Sequence, residues 1–354
     1  MPFNIFDTHH LLMAVEQLTP APSFLLNRYF PTNAATDVFS TDDVLVEYKD
    51  GSKKLAPFVA PRKGGVTMLR NGYTMERYTP PFVAPRRALT IDDLNKKGFG
   101  EALYSQMTPA QRQNVLLMKD ASELGDFITR REEAMAAEVM LTGGCVMKHI
   151  ADDATKGDEM EIRFYNGEAN PSVYNPSIKW DADGADIIGD LDQMIQMLTK
   201  KGLRASELVC SPDVADAIVN NEKVQKLLDI KNYHVGEVNP EEMPAGAAIV
   251  AKLNVRGRII SIISYDETYT DDAGNDHLFI PSGKCVLTAP AAGRTLYGAV
   301  SQVEQSDGAF HTYTGKRVPK YISNAEGNTR SLTVSSRPLP MPNAKGCFIS
   351  ADVL

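Results

Sequence analysis

Apolar residues recur at steps of three and four along one stretch of this chain, and the rest is organised around it. Leu117, Ala121, Leu124, Ile128, Met135 and Val139 fall on one stripe of a helix predicted over 108–142. Thr108 is placed to cap it, Pro109 suits its first turn, Gln111 completes a capping box, and Gly143-Gly144 supplies the stop. At about 1.5 Å per residue such a helix is roughly 50 Å long, more than a small domain is wide. Arg131 interrupts the stripe and Gly125 weakens helix propensity, which argues against a coiled coil. A helix this long with one apolar face lies along something extended, so it is read as a spine.

The 40 residues at the amino end read as an arm. Thr8 is placed to cap a short helix carrying Leu11, Leu12, Val15 and Leu18, and Thr19-Pro20-Ala21-Pro22 ends it. The run from Ser23 to Pro31, with Phe24, Tyr29 and Phe30, is apolar and lacks a local partner, so it is either tied into the core or docked on another subunit. In 41–92, Val44-Leu45-Val46-Glu47-Tyr48 predicts a strand and Lys49-Asp50-Gly51-Ser52 has turn chemistry. Pro57-Phe58-Val59-Ala60-Pro61-Arg62 then returns unchanged as Pro81-Phe82-Val83-Ala84-Pro85-Arg86, with Gly64-Gly65 and Asn71-Gly72 between the copies. Proline removes a ladder donor, so these strands do not belong in the middle of a sheet. The two copies suit the arms of a projecting hairpin with residues 66–78 toward its tip, packed on a neighbour.

Beyond the spine, Met160-Glu161-Ile162-Arg163-Phe164 alternates like a half-exposed strand, and Asn170-Pro171, Asn175-Pro176 and Asp183-Gly184 mark a linker around Trp180. Residues 183–292 predict an α+β unit. A helix opens at Asp186 and closes at Gly202, Leu208-Val209-Cys210 is a short strand, and Ser211-Pro212-Asp213 caps a second helix. Three more strands follow, at 247–253, 256–265 and 284–289. The remainder, 293–354, alternates polar and apolar residues. It predicts antiparallel strands against the spine, bent at Pro338, Pro340 and Pro342.

Composition narrows the function. At 354 residues the chain exceeds a usual single core. A net charge of -8 argues against a general nucleic-acid binder. No run of about 18 apolar residues is present, and the first residues lack a basic region with an apolar core, so neither a membrane span nor a secretory signal is expected. The four cysteines have no C-x-x-C spacing and are expected to be reduced and buried.

The order of these parts resembles the major capsid proteins of tailed phages, specifically the lambda-type capsid protein E family. Residues 55–89, with Gly64-Gly65 and Tyr78-Thr79-Pro80-Pro81-Phe82-Val83-Ala84-Pro85, are similar to that family's E-loop. Arg294-Thr295-Leu296-Tyr297-Gly298 and the segment after Pro338 fall where similar segments fall. The resemblance implies the α+β Hong Kong ninety-seven fold. Its parts would be an N-terminal arm (1–40), an extended two-stranded E-loop (41–92), a peripheral domain on the spine (93–182 and 293–354) and an inserted axial domain (183–292). It implies a shell subunit, not an enzyme, that assembles with itself into hexamers and pentamers and needs no cofactor. Scaffolding protein, portal and a decoration protein would be partners, with packaged double-stranded DNA met only by non-specific proximity. The place would be the virion, reached from the host cytoplasm. Contacts between subunits are expected at Phe58, Val59, Arg62, Lys63, Tyr73, Tyr78, Phe82 and Val83 of the hairpin, and at Phe24, Tyr29 and Phe30 of the arm.

Little else in the chain suggests chemistry. Asp181-x-Asp183-Gly184-x-Asp186 lacks the rest of a calcium loop and reads as a solvated turn that caps the next helix. Asp271-Asp272-Ala273-Gly274-Asn275-Asp276 reads as a polar hairpin tip. Pro281-Ser282-Gly283-Lys284-Cys285 lacks the earlier glycine of a phosphate loop and reads as a turn. No paired histidine ligands or nucleophile elbow occur. The competing readings are an α+β enzyme with a long dimerisation helix and its site in 185–290, and another virion assembly protein such as a tail-tube subunit.

Overall fold

A computed structural model describes residues 23–49, 73–95, 108–150, 157–167, 170–228, 236–237, 241–243, 246–271, 274–305, 307–325, 327 and 329–354. The arm helix expected after Thr8, the first repeat copy at 57–62, and the turns at Gly64-Gly65 and Asn71-Gly72 lie outside them.

In chain order, the first elements are α1 (Phe24–Tyr29), β1 (Val44–Tyr48), β2 (Thr74–Tyr78), β3 (Arg86–Thr90), α2 (Ile91–Asn95) and the spine α3 (Pro109–Thr142). Next come β4 (Gly144–Ile150), β5 (Gly157–Arg163), β6 (Ser172–Tyr174), α4 (Ile187–Lys201), β7 (Glu207–Cys210), α5 (Pro212–Asn220) and α6 (Glu222–Leu228). Strands complete the chain: β8 (Gly236–Glu237), β9 (Glu241–Glu242), β10 (Ala247–Val255), β11 (Arg258–Tyr265), β12 (Thr268–Thr270), β13 (Asp276–Leu278) and β14 (Lys284–Thr288). The last are β15 (Gly293–Tyr297), β16 (Val300–Val303), β17 (Phe310–Tyr313), β18 (Val318–Asn324), β19 (Thr329–Ser335), β20 (Pro338–Pro342) and β21 (Ile349–Asp352).

The spine forms where its local signals place it. Thr108 Oγ1 accepts from Gln111 N, and Gln111 Oε1 accepts from Thr108 N at 2.9 Å, so two otherwise orphaned donors are satisfied. At the other end Gly143 takes φ 75° and its N–H reaches Val139 O at 2.9 Å. A Cβ there would also lie 1.9 Å from Asn170 O, so only glycine fits. Leu117, Ala121, Leu124 and Ile128 pack on Leu332 and Val334 of β19. Farther along, Met135, Ala136, Ala137, Val139 and Met140 enter a larger core.

That larger core is shared with a sheet of order β6-β21-β14-β7-β11-β10-β8, with β9 also paired to β10. Alternation along each strand splits the sheet between two cores. Leu208, Cys210, Ile260, Ile262, Cys285 and Leu287 face α4 and α5. Val209, Ile263, Tyr265 and Val286 face the second half of the spine and α1. The register slips between Ile249 and Ala251, which carries β10 from one core to the other: Ala247 and Ile249 join the spine side, Ala251 and Leu253 the helix side.

Three expectations need correction. The described ladder of the hairpin is β1 with β2, in register Val44↔Tyr78 to Tyr48↔Thr74, and the second repeat copy is not part of it. The second copy lies past β2 on the body, where Val83 exchanges backbone hydrogen bonds with Ser336 at 2.9 and 2.8 Å. Residues 74–78 are accordingly at the hairpin's root, not its tip. The prolines 338, 340 and 342 are not a bend but a strand, β20, paired to β15 and packed on the spine. The last strand, β21, contacts the spine as expected but pairs in the large sheet between β14 and β6, parallel to β6, and not with the other spine strands.

Candidate assembly surfaces

Two segments were expected to reach other subunits, and folding treats them in opposite ways. On the β1–β2 ribbon, alternation sends Val44, Val46 and Tyr78 into the core, where Tyr78 meets Phe164 edge-on at 5.2 Å. Tyr48 packs on Tyr165 at 4.7 Å. The other face is exposed and mixed: Leu45 is 56% exposed, Met75 52% and Tyr73, just before β2, 65%, with Arg77 opposite Leu45 and Glu47 opposite Met75. Asp43 ties the root, accepting from Thr79 Oγ1 at 2.6 Å and from Arg77, and these bonds hold its carboxyl below the usual aspartate range. Phe82 is half exposed beneath the Arg337 guanidinium, 5.4 Å from its ring centre. Val83 packs partly buried beside the spine's Leu117–Ile128 cluster. Phe58, Val59, Arg62 and Lys63 lie outside the described residues.

The arm residues are a correction. Phe24, Tyr29 and Phe30 are buried in the chain's own core, as is Tyr78, so none offers a free surface to a neighbour. Of the two fates left open for 23–31, folding takes the intrachain one. Phe30 packs on Phe348 at 5.4 Å, and the Gly293 backbone comes so close that a Cβ there would lie 2.4 Å from the Phe30 ring. Arg28 donates to Glu207, with Nε 2.7 Å from Oε2, and the Tyr29 hydroxyl donates to the same oxygen at 2.7 Å. The carboxylate pairing raises the guanidinium's pKa, and burial pushes the phenol far above its ordinary value.

The spine supplies the anchor. Ser23 makes no side-chain cap to α1; its hydroxyl donates instead to Glu133. Glu133 also accepts from Leu25 N at 2.7 Å, Leu26 N at 2.9 Å and the Tyr265 hydroxyl at 2.8 Å. A spine carboxylate thereby caps the arm's helix from outside it. Burial raises the Glu133 pKa, and these donors hold the rise back. One position earlier, Glu132 accepts two parallel bonds from Arg317, at 2.7 and 2.8 Å, with both side chains largely buried. The sequence reading missed both glutamates by taking Arg131 as the break in the stripe. Arg131 is exposed, and the step of four from Ile128 lands on Glu132. That spacing was the available signal for Glu132.

Another exposed apolar pair sits on the β16–β17 ribbon, where Phe310 is 84% exposed opposite Val303. Sites of chemistry are absent from the described residues in one respect: no group of three or more His, Cys, Asp or Glu is placed to hold a metal. Asp186 accepts from Gly189 N and caps α4, while Asp181 and Asp183 are exposed. The 281–285 turn is pinned by Asp213, which accepts from Gly283 N at 2.9 Å and from Ser282. No described helix is long and apolar enough to cross a membrane.

The chain matches the phage major capsid protein E family over residues 7–353. It is 22% identical over 343 residues to the major capsid protein of Enterobacteria phage P21, covering 95% of each chain. It is 20% identical over 352 residues to the major capsid protein of Escherichia phage lambda, covering 99% of each. Its fold is similar to the crystal structure of a putative capsid protein from an Escherichia coli prophage, with TM-score 0.64, 17% identity, and 98% and 99% of the two chains covered.

Proposed function

The chain belongs to the phage major capsid protein E family, a structural component of the virion and not an enzyme, and from that premise we propose how it builds a shell. Copies associate into hexamers and pentamers through the projecting hairpin. Its outer face, with Leu45, Tyr73 and Met75, and the sequence-expected contact residues Phe58, Val59, Arg62 and Lys63 meet a neighbouring subunit. The observation that carries this reading is the two-sided β1–β2 ribbon: one face is rooted in the core, and the other leaves Leu45, Met75 and Tyr73 uncovered beside Glu47 and Arg77. The intermolecular role expected of the arm falls to residues before Ser23, since 24–30 are used at home.

We divide the subunit into a peripheral part on the spine and an axial part centred on 183–292. The two separate apolar clusters on opposite faces of the large sheet support the division, with β6 and β21 crossing into the axial sheet. Scaffolding protein, portal and a decoration protein are further partners in this proposal, assembly taking place in the host cytoplasm. The net charge of -8 suits a container whose packaged DNA is not to adhere.

Replacing residues 50–72 by a short Gly-Ser turn keeps the root, including Tyr78, and tests the hairpin. The shortened chain is expected to be a folded, soluble subunit that forms no closed particles by electron microscopy. Normal shells from it would remove the hairpin from the interface.

A further inference from the structure

Two of the four cysteines are cross-strand neighbours, with the Cys210 thiol at rest donating to Ile263 O of β11 at 3.5 Å. Cys210 in β7 and Cys285 in β14 are direct partners across an antiparallel ladder. Beside them Ser211 N donates to Lys284 O at 3.2 Å, so Ser211 and Lys284 occupy a hydrogen-bonded position of that ladder. By alternation, Cys210 and Cys285 occupy the non-hydrogen-bonded position, where Cα atoms approach to about 4.5 Å and side chains are closest. That separation lies inside the window of about 4.4–6.8 Å that a disulfide accepts. Both side chains belong to the core under α4 and α5, so they leave the sheet on the same face. Both are free thiols. Cys145, by contrast, has Ile162 as its cross-strand partner, and Cys347 lies in the other core outside any strand.

We propose that Cys210 and Cys285 form a latent disulfide site, oxidised by a small-molecule disulfide. The sulfur of one cysteine attacks the oxidant RS–SR, forming a mixed disulfide and releasing RSH. The second cysteine attacks the protein sulfur of that bond and releases the other RSH. Two protein thiols are thereby oxidised to one S–S bond and the oxidant is reduced to two thiols, which take up the two protons. The bond staples the centre of the large sheet and closes a loop that contains α5, α6 and β8 to β13.

Burial fixes when this happens. It pushes both thiols far above their ordinary pKa, and neither side chain is exposed, so the closed sheet holds no nucleophilic thiolate. Oxidation goes through transient opening between β7 and β14. A subunit made in a reducing cell stays open-thiol, and one that unfolds locally in an oxidising medium is captured in its native strand register. That biological setting rests on the shell reading; the chemistry of the pair does not.

The test uses the purified full-length chain, whether or not it assembles. It is incubated with oxidised glutathione in urea just below the unfolding transition, quenched by alkylation in denaturant and mapped by peptide mass. The expected product joins the Cys210 and Cys285 peptides with the loss of two hydrogens, leaves Cys145 and Cys347 alkylated, and is reversed by dithiothreitol. Its urea midpoint moves up relative to Cys285→Ser treated in the same way. Four alkylated cysteines would overturn the proposal. So would glutathione held on Cys210 without closure, or a bond to Cys145 or Cys347. The peptide map needs no variant, so a Cys285→Ser chain that folds poorly does not spare the proposal.

Discussion

Glu133→Gln is the sharpest perturbation of the arm's attachment, because it keeps the shape and changes only what the spine can accept. Oε1 takes Leu25 N and the Tyr265 hydroxyl; Oε2 takes Leu26 N and the Ser23 hydroxyl. Whichever oxygen becomes an amide NH2, it faces one backbone N–H and one hydroxyl. The hydroxyl can turn and accept; the backbone N–H cannot. One buried donor is left unpaired at a cost of about 1–3 kcal/mol, and the surviving bonds lose the assistance of charge. Removing a costly buried carboxylate returns part of this, so the net loss is placed at about 1–3 kcal/mol. Urea unfolding of the isolated subunit measures it, with amide exchange at Leu25 and Leu26 to localise it and protease sensitivity of 23–30 as a second readout. A variant within about 0.5 kcal/mol of the natural chain, as for an ordinary surface change, would refute the cap.

The pH dependence of the same group has a definite sign. Burial raises its folded pKa above the ordinary glutamate value, so the folded chain holds the proton more tightly, and Glu133's contribution is full below the ordinary glutamate range and declines as pH rises through the folded value. The stability gap between the natural chain and Glu133→Gln should therefore be widest in mild acid and narrow toward neutrality; a gap that widens with pH is the wrong sign. Arg317→Met strands Glu132 in the core and should cost about 3–5 kcal/mol in urea unfolding, with Glu132→Leu in the same chain recovering much of it. Gly125→Ala should stabilise by roughly 0.5–1 kcal/mol, because a Cβ there meets nothing within 4 Å and the position is helical; a loss in thermal melting would contradict that.

What was legible in the chain was local. Thr108, Pro109, Gln111 and Gly143 each act within a few residues of themselves, so the spine's ends could be placed from sequence. The prolines of β20 show where local rules mislead. Pro338, Pro340 and Pro342 look like breakers, but a spacing of two turns all three missing N–H groups toward the same edge. Leu339 and Met341 keep their donors for β15, opposite Leu296 and Arg294. The repeat misled for a different reason: identical segments need not pair, and the β1–β2 register leaves the second copy beyond the ladder. Glu133 was invisible because its four donors come from residues more than 100 positions away, on α1 and β11.

The assembly surfaces expose the deeper limit. Phe24, Tyr29 and Phe30 and the outward Leu45, Tyr73 and Met75 of the ribbon are alike in sequence: apolar and toward the amino end. Only the closed core separates them, by having room for the first set and none for the second. Leu45 and Met75, each a little over half exposed, forgo about 1–1.5 kcal/mol of burial apiece, which a free subunit does not recover but an assembled one can. That gain is useful only if the face is held ready, since ordering a loose ribbon at binding costs about 1–2 kcal/mol per residue of backbone. Val44, Val46 and Tyr78, with Asp43 fastened to Arg77 and Thr79, meet that cost during folding of the subunit itself. In the proposed assembly the buried root therefore contributes to association alongside the exposed face. Truncating Tyr78 should weaken assembly even where the remaining subunit is folded.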